Sequence, residues 1–162
     1  MTAGSAPRRS SSAELRVAVR AQHLCRWELP RSAHPPGRAG YLRWRAEAAR
    51  RHAARVSTLL AEEGAPPEAI DRVRALVLKR DLRTDPEAQA LEDCACLVFL
   101  EHEAAEFAAG RNEASVVDIL VKTLRKMSPR ARALAPGLPL QPEVRAVLER
   151  ALAASDGSDG AR

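Results

Sequence analysis

Residues 86–109 read PEAQALEDCACLVFLEHEAAEFAA, and this stretch decides the fold. Asp85 is suited to cap a helix and Pro86 to its first turn. Twenty-three further residues then pass before Gly110 without a glycine or another proline. The centre, Cys94 to Leu100, is apolar on every face, as expected of a helix surrounded by others. A strand would be shorter and flanked by turn residues.

The same helical periodicity recurs on both sides of this stretch. Ser11 or Ser12 caps a helix predicted to run to about Trp27, with Leu15, Val19, His23 and Trp27 on one stripe. A second helix is expected from Tyr41 to Glu63, burying Ala49, His52, Val56 and Leu59, and Gly64 stops it. Further helices are expected over 68–79, 113–127 and 142–153, with Pro129 and the APGLP run at 135–139 breaking the chain. No strand alternation and no internal repeat occurs. The fold class is therefore all-α: a compact single-domain bundle over residues 11–153, with disordered tails at 1–10 and 154–162.

The chain has 162 residues, a formal charge of +5 and 29% charged residues, which suits one globular domain. The basic balance permits nucleic acid as a partner without requiring it, and an Ala/Arg-rich composition also follows from a GC-rich genome. Cys25, Cys94 and Cys96 form no CxxC pair, and the first residues lack a secretory apolar run, so a cytoplasmic location with reduced thiols is expected. No apolar stretch is long enough to span a bilayer. P-loop, GxGxxG and nucleophile-elbow motifs are absent.

The chemically uneven stretch is 21–45, AQHLCRWELPRSAHPPGRAGYLRWR. It gathers Arg26, Arg31, Arg38, Arg43 and Arg45 with Trp27, Tyr41 and Trp44. Guanidinium forks grip phosphate and aromatic faces stack on a base, so this segment is a candidate phosphate or nucleotide site. The alternative is that the tryptophans anchor a proline-rich loop while the arginines pair with acids. His34, in that loop, is expected to be solvated. The segment from Trp27 to Arg45 reads as a rigid flap.

His23 and His52 fall on inward stripes, and Asp93 follows Glu92 at the start of the apolar helix centre. Neutral imidazoles with a carboxylate are ordinary ligands for a divalent metal. The competing reading is core histidines and a carboxylate in a buried salt bridge.

The blocks AQHLCRWELPR, GYLRWR, RRHAARV and LEDCACLVFLEHE resemble the domain-of-unknown-function family 4202 over about Leu15 to Leu148. That family in turn looks like a divergent relative of the HD-domain metal-dependent phosphohydrolases, which are helical. The resemblance implies that His23 stands for the histidine of the His-Asp pair, His52 for an accessory histidine and Asp93 for the distant aspartate. Leu24 stands where the pair's aspartate should be, and Lys79 near another usual histidine. An HD-like enzyme would bind a divalent metal through His23, His52 and Asp93. Glu92 would assist as acid or base, and Arg26, Arg31 and Arg38 would hold the phosphate of a nucleotide or small phosphorylated substrate. The alternative is a non-catalytic module binding nucleotide, RNA or protein through the Arg/Trp segment 26–45.

Overall fold

A computed structural model describes residues 11–159, with side chains through Ser155. The expectations for residues 1–10 and 160–162 lie outside them. The fold is all-α, and no strand occurs among the described residues. The chain divides into two compact units, one ending at Asp81 and the other beginning at Leu82.

The first unit holds α1 (Ala13–Ala21), α2 (Gly37–Glu62) and α3 (Pro67–Val77), with α3 packed on both α1 and α2. Ser12 Oγ accepts the Leu15 N–H at 3.0 Å and starts α1. Leu15, Ala18 and Ala21 bury one face of it. The helix ends at Ala21, six residues before the expected Trp27. Cys25 takes a left-handed conformation at φ 54°, and a turn closes from the Leu24 N–H to the Ala21 carbonyl at 3.0 Å. His23 and Trp27 therefore leave the helical stripe, and both are exposed.

Two 3₁₀ turns, Arg26–Glu28 and Arg31–Ala33, lead to α2, which starts four residues before Tyr41. The stretch between is stapled onto the helix. The Trp44 indole N–H donates to the Leu29 carbonyl at 3.0 Å, and Leu29, Trp44 and Ala48 form a small core. Arg31 donates to the carbonyls of His34 and Pro35 at 2.9 Å each and of Gly37 at 3.4 Å. A Cβ at position 40 would lie 1.9 Å from the Pro35 oxygen, so only glycine lets the loop approach so closely. His34 is half-buried rather than solvated, because this return brings its Nε2 within 3.2 Å of Glu47.

The buried face of α2 comprises Gly40, Trp44, Ala48, His52, Ala53 and Val56. Ala49 is only half-buried and Leu59 is exposed, so the face lies a few residues aside from the expected stripe. Trp44, the largest side chain on the helix, sets the rotation by going inward. Gly64, at φ 72°, reverses the chain, and the Ala65 N–H returns to the Leu60 carbonyl at 2.9 Å.

The second unit holds α4 (Pro86–Val98), α5 (Ala104–Ala108), α6 (Glu113–Leu124), α7 (Pro129–Leu134) and α8 (Pro142–Asp159). Asp85 Oδ1 caps α4 through the Glu87 and Ala88 N–H groups at 2.9 and 3.4 Å. A π turn, Phe99–Glu103, joins α4 to α5, and there the Ala104 N–H bonds back to the Phe99 carbonyl. The Phe99 and Phe107 rings meet edge-on across it at 5.7 Å.

α6 packs on α8, and the core collects Cys96, Leu100, Val116, Leu120, Leu124, Met127, Ala131, Leu148 and Ala151. The expectation that α4 is buried all round does not hold. Cys94 and Val98 are exposed while Leu91, Cys96 and Leu100 are buried, so the helix commits one face to the core. Pro129 begins α7 where a break was expected, because Ser128 Oγ accepts the Ala131 N–H at 3.2 Å and proline suits the first turn. α8 continues past Ala153 to Asp159.

Candidate functional site

The end of α1 and the middle of α2 bring two sequence-selected histidines together. Their rings meet edge-on with centroids 6.3 Å apart and planes at 64°. His52 is buried, and its Nδ1 lies 2.6 Å from the Leu24 carbonyl. A carbonyl only accepts, so Nδ1 carries the proton and Nε2 keeps its lone pair. Burial lowers the His52 pKa, with Arg26 adding to the shift and the Leu24 bond opposing it.

His23 keeps an exposed edge, yet its pKa is pushed down to about 4. Burial of the rest of the ring is the largest cause, followed by the positive charges of Arg26, of His52 in its protonated form, and of Lys79 and Arg45. Both imidazoles are therefore neutral at pH 7, and His23 sits within a field of fixed cations.

Aromatic rings hold two of those cations. The Arg26 guanidinium lies 5.0 Å from the Trp44 ring centroid, and that of Arg45 lies 5.8 Å from the Tyr41 centroid. Tyr41 and Trp44 themselves touch at 5.9 Å. The two tryptophans have separate roles. Trp44 is buried and anchors the loop, whereas Trp27 is 78% exposed on the Arg26–Glu28 turn. Arg31 spends its donors on loop carbonyls, while Arg38 is exposed at the start of α2.

On the Leu24 side of His52 lies a recess of about 370 Å³. The Leu24–Leu29 turn forms one wall, and Ala48, Arg51, His52, Arg55 and Thr58 of α2 form the other. Glu28 and Cys25 also face it. Arg51 is bonded to Glu47 at 2.6 Å, and this bond, above all, holds the Glu47 carboxyl below its ordinary pKa. Cys25, Glu28, Arg55 and Thr58 were not selected from the sequence. Arg55 was legible there, since it follows His52 by three residues and shares its side of the helix. Glu28 was not, because its position depends on the turn at Cys25.

Glu92 and Asp93 belong to the second unit. Glu92 is buried on α4. Asp93 is half-buried and accepts three hydrogen bonds: from the Ser128 N–H at 2.8 Å, the Ser128 hydroxyl at 2.6 Å and the Gln89 amide at 2.9 Å. It thereby fastens the start of α7 to α4. The partners of Asp93 are neutral groups, not the arginine or lysine of the salt-bridge reading.

Among the described residues, no group of three or more His, Cys, Asp or Glu side chains is placed to hold a metal ion. The His23 imidazole and, in the recess, Cys25 and Glu28 lie on the His52 side of the unit, but no three of these donors converge as the three protein ligands of a typical catalytic zinc site do. No described helix is long and apolar enough to cross a membrane.

Fold and site together define an all-α protein that presents a neutral histidine pair among arginines. Residues 2–148 match the family described as domain of unknown function (DUF4202), and the chain belongs to that family. Searches of the curated proteins and of solved structures find no match.

Proposed function

We propose that the protein is a binding module for a phosphorylated small molecule, held on the first unit by His23, Arg26 and Arg45. The observation that carries this reading is the His23–His52 contact, crowded by Arg26, Arg45 and Lys79. Arg26 and Arg45 each add positive potential at His23, and an anion placed there is attracted by both. Guanidinium forks match phosphate oxygens, and the stacking of Arg26 on Trp44 limits the entropy lost when the ligand binds.

The test is calorimetric titration of the full chain with inorganic phosphate and nucleoside monophosphates. Saturable binding is expected, weakened about tenfold in Arg26→Ala, the loss of one charge-assisted contact. Absence of saturable binding, or equal affinity in the double variant Arg26→Ala/Arg45→Ala, refutes the reading.

A second reading, hydrolysis of such a ligand as in the HD-like phosphohydrolases, draws on His52 alone. Its Nε2 lone pair, fixed by the Nδ1 bond to Leu24, is the form a general base or a metal ligand needs. Release of phosphate from nucleoside monophosphates, with and without added Mn²⁺, tests it. Turnover that disappears in His52→Gln supports hydrolysis, and no turnover under either condition leaves the binding module.

A further inference from the structure

The recess beside His52 is unused by the phosphate reading, and its walls differ in character from the arginine cluster. At about 370 Å³ it falls at the small end of ligand cavities and suits a single ring system. Leu24, Leu29, Ala48 and Ala54 give it apolar walls, and Glu28 sets an exposed carboxylate on its edge. Arg55 adds a guanidinium with no hydrogen-bond or ion-pair partner among the described residues. Arg51, by contrast, is engaged by Glu47.

A carboxylate at the edge disfavours a phosphate inside the recess and favours a group that presents N–H donors. The anionic end of a ligand belongs with Arg26 and Arg45 instead. Leu24 and Cys25 of the recess directly adjoin His23 and Arg26 in the chain, and His52 borders both places.

We propose that a nucleoside monophosphate spans the two places, its base in the recess with Glu28 accepting from the N1–H and N2–H groups of guanine and Arg55 covering the ring, and its phosphate beside Arg26 and Arg45. This rests on the phosphate reading above. It adds a specificity which that reading lacks, because only guanine sets two adjacent N–H donors on one edge, whereas adenine and cytosine offer one amino group beside an acceptor and uracil one N–H between two carbonyls.

The test titrates the full chain with inorganic phosphate, GMP, CMP, AMP and UMP. GMP is expected to bind about tenfold more tightly than AMP, CMP and UMP, the scale of one good base contact. Glu28→Ala should bring all four nucleotides to a common affinity. Both Glu28 and Arg55 are exposed, so their variants keep the fold. Phosphate binding with no gain from any base overturns the recess assignment and leaves the phosphate reading standing. Failure of phosphate and of every nucleotide to bind overturns both. A base preference that survives in both Glu28→Ala and Arg55→Ala overturns the assignment of these two residues.

Discussion

Asp93 offers the sharpest test of how this protein uses a carboxylate. Its two oxygens accept from the Ser128 N–H, the Ser128 hydroxyl and the Gln89 amide at 2.8, 2.6 and 2.9 Å. Ser128 Oγ in turn caps α7 through the Ala131 N–H. Asp93→Ala removes the acceptor of all three donors and strands the half-buried Ser128 N–H. Hydrogen bonds to a charged group contribute about 1.5–3 kcal/mol each, and allowing for partial solvent access the loss should total about 3–5 kcal/mol. Asp93→Asn keeps one carbonyl oxygen for the Ser128 N–H but loses the charge and should cost about 1–2 kcal/mol. Ser128→Ala removes the helix cap and one bond to Asp93, again about 1–2 kcal/mol. Urea unfolding followed by far-ultraviolet circular dichroism measures each variant. The double-mutant cycle should give a coupling of about 1 kcal/mol or more between the two positions. A loss under about 1 kcal/mol in Asp93→Ala, or a coupling indistinguishable from zero, refutes the structural role. A carboxylate retained for a ligand would leave stability unchanged or raise it on removal.

Two further outcomes follow from the first unit. His23 has its pKa lowered from 6.5 to about 4, and that of His52 is lowered as well. The unfolded chain therefore binds more protons than the folded chain between about pH 6.5 and 4, and stability falls as pH drops through that window. The thermal midpoint should decline on acidification, and His23→Gln should flatten the decline. An identical pH profile in the variant would refute the linkage. Gly40→Ala forces a methyl group to within 1.9 Å of the Pro35 oxygen, so the 30–36 loop must move off α2 at a cost of about 2 kcal/mol. Thermal unfolding checks this, and a neutral effect would mean that the loop does not rest on the helix.

The all-α class was legible because the helical signals are local. Ser12, Asp85 and Asn112 accept N–H groups of the first turns that follow them, and Gly64 and Gly110 stand where helices end. The family blocks were also legible as contiguous strings. The division of labour within residues 21–45 was not. Periodicity placed Leu15, Val19, His23 and Trp27 on one stripe, but the helix ends at Ala21, and beyond the left-handed Cys25 Trp27 stands out in solvent. Trp44 goes inward because its indole N–H finds the Leu29 carbonyl fifteen residues earlier, a pairing no local pattern encodes. The lowered pKa of His23 likewise depends first on burial by the surrounding segments and then on the charges of Arg26, Lys79 and Arg45, which come from separate stretches of the chain. Residue spacing determined which helices form and which residues carry chemistry. Only tertiary packing decided which of them meet, because charge, burial and hydrogen bonding act through space and not along the chain.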